Sequence, residues 1–177
     1  MKLVLASKNK KKLAEMNDIL SHLGVEVCSE AEAGVDVEVE ETGTTFEENS
    51  LLKARAVMEA SGLPAIADDS GLCVDALNGA PGVYSARYGG PGLDDPGRVI
   101  TCCFPNGDVL SARGECEGTV AFTPIGEGGF GYDPVFFVPP LKKTFAQLTA
   151  EEKNAISHRG KALEAFQVKL REYLEKS

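Results

Sequence analysis

The amino-acid sequence predicts an α/β fold in which helices flank a central mixed sheet. In the first half of the chain, short apolar segments typical of buried strands alternate with amphipathic helical segments. In the second half, apolar segments flank Pro105-Asn106-Gly107-Asp108, a strong β-hairpin signal, and they add antiparallel strands. Because there is no internal repeat, we expect the 177 residues to form one domain, 1–177.

The first half of the chain predicts three strands and two helices. Apolar residues recur at helical spacing in both helices, and Gly24 and Gly62 follow their last turns. The third strand leads directly into Asp68-Asp69-Ser70-Gly71. The strands cover residues 2–6, 25–27 and 64–67, and the helices cover about 12 residues before Gly24 and residues 47–60.

The second half begins with a segment rich in glycine and proline, residues 80–97, which predicts a loop. A long antiparallel run follows, and an amphipathic helix closes the chain with apolar residues on one face. The strands of this run cover residues 99–104, 109–112, 113–122 and 135–138, and the helix covers residues 160–175.

Composition and charge narrow the classes of partner. The hydrophobic fraction of 43% and the charged fraction of 25% are ordinary for a soluble globular protein. A net charge of −9 argues against broad nucleic-acid binding, which needs a basic face, but a local lysine cluster still admits a small anion. No apolar run approaches the roughly 18 residues of a membrane span. We therefore expect a small-molecule partner, with neither nucleic acid nor membrane.

The cysteines predict a reducing compartment. Five of them are scattered without Cys-x-x-Cys spacing, which is typical of free buried thiols in the cytoplasm. A zinc site is not favoured, because only His22 and His158 could join them and neither has ligand spacing. The segment before the first lysines is also too short for a signal peptide. We therefore expect a cytoplasmic protein.

Three groups of residues carry candidate chemistry, and the first is Ser7, Lys8, Asn9, Lys10, Lys11 and Lys12. This run lies between a buried strand and a helix, where free backbone N–H groups and the positive helix end converge. Hydroxyl, amide and ammonium groups at such a turn suit a polyphosphate, although no glycines flank it as in a Walker A loop. The alternative is that Ser7 or Asn9 caps the helix while the lysines are solvated.

The second group is acidic. Glu40 and Glu41 precede Thr42-Gly43, and Asp68 and Asp69 follow a buried strand. Adjacent carboxylates repel each other unless they are solvated or bridged by a cation, and Mg²⁺ prefers one or two carboxylates together with substrate phosphates. The alternatives are a capping or turn role for the aspartates and a solvated face for the glutamates.

The third group combines the segment Gly128 to Pro134 with Ser157-His158-Arg159. Aromatic rings, a carboxylate, an imidazole and a guanidinium are the groups that stack on a flat heterocycle and bind its polar edge. Lys153 adds another donor. The alternative is a turn with aromatic residues in the core, followed by a helix start with exposed charges. Taken together, the three groups predict a nucleotide enzyme.

The chain resembles the inosine triphosphate pyrophosphatase family, also called the Ham1 family, in its bacterial form. The matching motifs occur in the expected order over nearly the whole chain. They are Ser7-x-Asn9-x-x-Lys12, Glu40 to Asn49, Lys53-Ala54, Ala67 to Leu72, Gly79 to Tyr88, Gly128 to Pro134 and Glu151 to Arg159.

The resemblance implies hydrolysis of dITP, ITP and XTP to the monophosphate and pyrophosphate, with Mg²⁺ as cofactor. It also implies an elongated fold of two lobes around a cleft, and a homodimer. In this family the run from Ser7 to Lys12 would bind the triphosphate, together with Lys53 and Ser70. Glu40, Glu41 and Asp69 would hold the metal. Asp69 would be the general base, with Asp68, Glu40 and Glu41 as close rivals for that role. The base pocket would comprise Phe130, Gly131, Tyr132, Asp133, Lys153, His158 and Arg159.

The chemistry of the base pocket agrees with this resemblance. A purine with a 6-oxo group presents an acceptor where adenine presents an amino donor. His158 and Arg159, as donors, would favour the 6-oxo group and leave adenine with an unmade contact. Guanine shares the 6-oxo group, so GTP must be refused through its 2-amino group.

One departure from the family is large. Members carry about 20 more residues after the Ala-Arg-Tyr motif, whereas here a short loop leads almost at once to Val99. Either the protein has lost a helix here, or a helical segment is missing from the sequence near residues 98–99, and we favour the second explanation. Two alternative functions follow: a related house-cleaning pyrophosphatase for modified pyrimidine or methylated nucleotides, or, if the helix after Tyr88 is truly absent, a non-catalytic nucleotide-binding module.

Overall fold

A computed structural model gives the fold and describes residues 1–71, 97–128 and 133–177. Within those residues it contains eight β-strands and four α-helices, numbered in chain order. The strands are β1 (Lys2–Leu5), β2 (Glu26–Ser29), β3 (Ala65–Gly71), β4 (Gly97–Cys103), β5 (Val109–Glu115), β6 (Thr119–Val120), β7 (Phe136–Val138) and β8 (Lys143–Thr144). The helices are α1 (Lys10–Leu20), α2 (Phe46–Ser61), α3 (Ala150–Ile156) and α4 (His158–Lys176).

The larger sheet has five strands in the order β2-β1-β3-β4-β5. β1 pairs in parallel with both β2 and β3, and parallel strands need crossover connections, which α1 and α2 supply. β4 and β5 are neighbours joined only by residues 104–108, a connection that requires antiparallel strands. The predicted α/β class with a mixed sheet and flanking helices is therefore confirmed, as is the predicted hairpin.

Burial explains why β1 is apolar after its first residue, the exposed Lys2. A strand in a parallel sheet is covered on both faces, and Leu3, Val4 and Leu5 are all fully buried. α2 covers one of these faces, because its Val57 packs in one core cluster with Val4 and Ala65. Charged side chains of the neighbouring elements can therefore reach β3 only near its end.

Caps and glycines fix the bounds of the first two helices. Asn9 caps α1, and the hydroxyl of Thr45 accepts a hydrogen bond from Glu48 N at the start of α2. Gly24 follows a short 3₁₀ turn after α1, and Gly62 follows α2; both adopt the left-handed conformation, with φ of 70° and 68°. The predicted ends at these two glycines are confirmed.

Two of the predicted strand bounds are wrong. β3 continues to Gly71, so Asp68 and Asp69 are strand residues and do not form the turn that was the alternative. The strand predicted over residues 113–122 is broken: β5 ends at Glu115, and β6 then pairs with β7 in a second sheet. The loop was predicted over residues 80–97. Residues 80–96 of it lie outside the described residues, and Gly97 is the first residue of β4.

The second sheet is antiparallel, with strand order β6-β7-β8. Phe136 of β7 packs edge-on against Phe145, with ring centroids 4.5 Å apart, and Cys116 and Val138 complete this small core cluster. Gly118 lies just before β6. A Cβ at that position would come within 2.6 Å of the Phe136 ring. The close approach of two chain segments therefore requires glycine there.

The short helix α3 was not predicted, because its seven residues are mostly polar and show no apolar stripe. A reciprocal capping box starts it: Thr149 Oγ1 accepts from Glu152 N, and Glu152 accepts from Thr149 N. α3 ends at Ile156 with Ser157 as its C-cap, and α4 starts at His158, two residues before the predicted start. The bend between the two helices lies beside the Ser157-His158-Arg159 motif.

The chain divides into two compact units. The first unit comprises Met1–Asp69, Val99–Ala112 and Leu163–Ser177, and the second comprises Ser70–Arg98 and Arg113–Ala162. β1, β2, α1 and α2 belong to the first unit, whereas β6, β7, β8 and α3 belong to the second. The expectation of one domain over residues 1–177 stays a prediction.

The predicted free, buried thiols are confirmed for the four cysteines within the described residues, Cys28, Cys102, Cys103 and Cys116. Burial raises the pKa of each of these thiols. Cys73 lies outside the described residues. None of the helices in the described residues is long and apolar enough to cross a membrane.

Gly114 allows β5 to lie directly against the start of α4, and an alanine there tests this contact. Its Cβ would collide with backbone atoms of His158 and Ala162, which cannot rotate away as a flexible side chain can. We expect Gly114→Ala to lower the free energy of unfolding in urea by about 3 kcal/mol. Val109→Ala, on the exposed part of the same strand, is the control and should cost far less. Equal stability of Gly114→Ala and wild type would contradict this packing.

Candidate active site

The turn between β1 and α1 is held by its own side chains. Ser7 Oγ accepts a hydrogen bond from Asn9 N at 3.2 Å, and Asn9 Oδ1 accepts from Lys11 N and Lys12 N at 2.9 and 3.4 Å. The alternative role of Asn9 as a helix cap is thus confirmed, and the cap already uses two of the free amides. Lys8, Lys10 and Lys11 are exposed; Lys8 pairs with Asp36, whereas the ammonium groups of Lys10 and Lys11 are accessible to an anion. Triphosphate binding by this run stays a prediction.

A pocket of about 990 Å³ opens beside this turn in the first unit. One wall is α1, and the other is the segment from Ser29 to Asp36 that follows β2. Glu30 anchors this segment, because its buried carboxylate accepts a hydrogen bond from Val37 N at 3.0 Å. Lys8 and Asp36, both exposed, form an ion pair of 2.9 Å at its rim.

The two adjacent aspartates of β3 point to opposite faces of the sheet. Side chains alternate along a strand, so Ala65, Ala67 and Asp69 share one face while Asp68 lies on the other. Ala65 and Ala67 pack against α2, which identifies the face of Asp69. The pair of carboxylates expected from the sequence is therefore separated by the strand itself.

Each aspartate meets a lysine from a different helix. Lys12 of α1 reaches Asp68, with Nζ at 3.2 Å from Oδ1 and 3.0 Å from Oδ2. Lys53 of α2 lies 3.6 Å from Asp69 Oδ1 and contacts Glu41 Oε1 at 2.7 Å. It also donates a hydrogen bond to the backbone oxygen of Asp68 at 2.7 Å. Two lysine–carboxylate pairs thus flank the end of β3.

The charges around Lys53 explain why its side chain stays protonated. Burial lowers the pKa of Lys53, but the nearby Asp69 and Glu41 carboxylates outweigh burial and raise it overall. Lys53 therefore stays an ammonium ion and serves as the counter-charge that lets two carboxylates lie close together. Its predicted role in substrate binding stays a prediction.

Asp69 has an unusual environment for a carboxylate. Burial raises its pKa to about 6, the Glu41 and Asp68 charges add to the rise, and Lys53 opposes it. Oδ2 is buried and accepts no hydrogen bond from the described residues. Nδ2 of Asn49 has no partner with strict hydrogen-bond geometry among the described residues, but this side chain lies near enough to Asp69 to lower its pKa.

Of the two predicted glutamates, Glu41 is the one that joins Asp69. Glu40 is exposed, whereas Glu41 is half-buried and shares Lys53 with Asp69. Within the described residues, no group of three or more histidine, cysteine or acidic side chains could hold a metal ion alone. Two carboxylates with an unused oxygen nevertheless fit Mg²⁺, because this ion takes its other ligands from phosphates and water.

The second unit brings together another part of the predicted site. Lys153 Nζ donates to Asp133 Oδ2 at 2.6 Å, and both Asp133 and His158 are 1% exposed. Neither ring nitrogen of His158 has a hydrogen-bond partner among the described residues. The alternative of exposed charges at this helix start is wrong for His158. Phe130, Gly131 and Tyr132 lie outside the described residues.

His158 is neutral in the folded protein. Its pKa is lowered to about 3, first by burial and then by the positive charges of Arg98, Lys153 and Arg159. A neutral imidazole has one donor nitrogen and one acceptor nitrogen, so His158 offers a single N–H and not two. Buried polar atoms are rarely left without partners, and these two nitrogens are therefore available to a ligand.

Sequence reasoning gave no role to two residues of these clusters. Asn49 is 1% exposed and accepts a hydrogen bond from Gly43 N at 2.8 Å, which ties the segment after Glu41 to α2. Arg98 is 3% exposed, and its charge acts on His158. The only sequence signal for Arg98 was its place beside the apolar segment that starts at Val99. Asn49 was visible in the Glu40 to Asn49 motif, but without a function.

The model of the Ham1 family matches residues 3–99 and 97–169 of this chain. The chain belongs to the Ham1 family. Among its relatives, a dITP/XTP pyrophosphatase of Desulforamulus reducens is 48% identical over 185 residues, covering 92% of each chain. The dITP/XTP pyrophosphatase of Haemophilus influenzae is 46% identical over 193 residues, covering 96% of this chain and 98% of its own.

Solved structures of Ham1 proteins have the same fold. The Staphylococcus aureus Ham1 protein superimposes with a TM-score of 0.88 at 39% identity, covering 98% of this chain and all of its own. A Ham1 protein of Coxiella burnetii has a TM-score of 0.83 at 41% identity, with full coverage of both chains. The family predicted from the motifs is therefore confirmed.

The Ham1 family match is divided in the place where a segment was expected to be missing. Its two parts meet at residues 97–99. The alignment with the H. influenzae relative runs over 193 positions, more than the 177 residues of this chain, so that relative has positions that this chain lacks. Both observations agree with the expectation of a missing segment near residues 98–99, which stays a prediction.

Replacing Lys53 tests its role as counter-charge. Lys53→Met keeps most of the side-chain volume but leaves Glu41 and Asp69 facing each other without a cation. We expect a loss of about 3 kcal/mol in the free energy of unfolding in urea, measured without metal. Lys8→Met, in the exposed pair with Asp36, is the matched control and should cost little. If both variants are equally stable, Lys53 is not the counter-charge.

The pH dependence of stability tests the burial of neutral His158. Because its pKa is about 3 when folded and near 6.5 when unfolded, protonation favours the unfolded chain. The stability that depends on neutral His158 is complete above pH 6.5 and is lost as the pH falls towards 3. We expect wild type to lose about 3 kcal/mol more than His158→Gln between pH 7 and pH 4.5. His22→Gln, at the only other histidine, should follow wild type.

Proposed function

We propose that this protein hydrolyses dITP, ITP and XTP to the monophosphate and pyrophosphate. One observation carries the proposal: relatives named dITP/XTP pyrophosphatases match the chain over more than nine-tenths of its length. The clusters in the two units supply the chemistry that this reaction requires. One contains acidic and lysine side chains suited to a phosphoanhydride, and the other contains polar groups suited to a base.

Asp69 is the proposed general base. Water attacking the α-phosphorus must lose a proton, and a base works best when its pKa lies near the working pH. In the metal-free protein the pKa of about 6 at Asp69 meets this condition, and Oδ2, which accepts no hydrogen bond from the described residues, would accept the proton. Asp68 is less suited, because Lys12 already engages both of its oxygens.

Asp69 and Glu41 are the residues that would hold Mg²⁺, with Glu40 as a further candidate. The ion would neutralise negative charge on the phosphates during attack. Lys53 keeps the two carboxylates close together before the substrate binds. On the other face of β3, Lys12 and the exposed lysines of the first turn would bind the β- and γ-phosphates, with Ser70 as a further contact.

His158 is the proposed hydrogen-bond donor to the polar edge of the purine. Its single N–H would donate to the 6-oxo group of hypoxanthine or xanthine, and Arg159 and Lys153 would add positive charge around it. Adenine has an amino group in that place and would leave the buried donor unmatched, which is costly. Phe130 and Tyr132 are proposed to supply the ring faces that stack on the base.

Three further expectations from the family are also proposals. They concern a homodimer, a location in the cytoplasm, and a substrate cleft between two lobes. The homodimer can be tested by the mass of the protein in solution.

Substrate comparison tests the proposed function. Pyrophosphate release should be at least tenfold faster from dITP and XTP than from ATP, dUTP or dTTP, with Mg²⁺ present. Asp69→Asn should abolish release while dITP still binds, and the exposed Asp18→Asn on α1 should behave as wild type. Faster turnover of dTTP would favour the pyrimidine-nucleotide alternative. Binding of dITP by wild type without any pyrophosphate would favour the non-catalytic binding module.

A further inference from the structure

Asp68 is fixed in a geometry that a general base would not need. Its side chain is 3% exposed, and both carboxylate oxygens lie within 3.2 Å of Lys12 Nζ. It is also on the face of β3 opposite to Asp69, so the two aspartates cannot offer their oxygens from the same side of the strand. We propose that Asp68 is a positioning residue, which orients Lys12 towards the triphosphate and takes no part in activating water.

The hydrogen bonds of Lys12 show how such positioning works. An ammonium group has three N–H donors, and a contact to both oxygens of one carboxylate directs two of them. The third points away from Asp68, and the side chain of Lys12 is 33% exposed, so this donor remains accessible. A lysine normally has several rotatable bonds and loses entropy when it is fixed on a ligand. Asp68 removes much of that freedom before the ligand arrives.

A simpler role for Asp68 makes the opposite prediction. If Asp68 only neutralises Lys12, then removing its charge leaves a stronger cation and polyphosphate should bind more tightly. If Asp68 positions Lys12, then removing its charge frees the side chain and polyphosphate should bind more weakly. The sign of the change in affinity therefore separates the two roles. This proposal rests on the proposed function only in taking the ligand of Lys12 to be a polyphosphate.

The experiment is a double-mutant cycle on the full-length protein. Asp68→Asn, Lys12→Met, the double variant and wild type are titrated with inorganic tripolyphosphate in EDTA by calorimetry. Each single variant should weaken binding by about tenfold, and the double variant should bind no more weakly than Lys12→Met alone. Asp18→Asn, on the same helix as Lys12 and exposed, removes the same charge and should leave the affinity within about twofold of wild type.

Several outcomes would overturn the proposal. One is tripolyphosphate binding to Asp68→Asn as tight as or tighter than to wild type. Another is a further loss when Asp68→Asn is added to Lys12→Met, since that would show an action independent of Lys12. The lack of any tripolyphosphate binding to wild type would also reject it. If Asp68→Asn does not fold, Asp68→Glu, which keeps the charge but displaces it, should weaken binding in the same way, and unchanged affinity would count against the proposal.

Turnover of dITP with Mg²⁺ is measured in parallel. The value of kcat/KM should fall by a similar factor in Asp68→Asn, Lys12→Met and the double variant. Asp69→Asn should instead lose turnover altogether. If wild type fails to hydrolyse dITP while the tripolyphosphate cycle behaves as expected, then the proposed function is rejected and the positioning role of Asp68 is retained. A merely structural role would change the melting temperature of Asp68→Asn without changing the coupling to Lys12.

Discussion

The alternation of side chains along β3 is the constraint on which the first unit depends. Because β3 stays extended through its acidic residues, Asp68 and Asp69 must leave the strand on opposite faces. Each then meets the helix that covers that face, and each helix contributes one lysine. The strand therefore separates the two carboxylates, and each is paired with its own lysine.

Polar side chains are also buried in the second unit, and there they are accommodated in two ways. A carboxylate there, Asp133, is paired with Lys153, whereas His158 is buried as a neutral ring. The basic residues near His158 make its protonation still less favourable. Polar atoms without partners are unusual in a protein interior, and among the described residues they occur in both units, at Asp69 Oδ2 and at the His158 ring nitrogens.

Local signals predicted much of the fold, and tertiary contacts decided the rest. The hairpin at residues 105–108 and the glycines after α1 and α2 are fixed by backbone conformation, which the sequence shows directly. The end of β3 and the break before β6 depend on which strand pairs with which, and residue patterns do not carry that information. Motifs predicted the candidate site residues, but the separation of Asp68 from Asp69 and the burial of His158 arise only from packing.

The buried cysteines have a consequence for the chemical durability of the protein. Their raised pKa values keep them as thiols at neutral pH, and a thiol reacts with electrophiles and oxidants far more slowly than a thiolate does. Cys102 and Cys103 lie in β4, inside the central sheet, so an attacking reagent must wait for that sheet to open. The alkylation rate of these two thiols therefore reports how often the sheet opens, and it does not respond to motions at the surface.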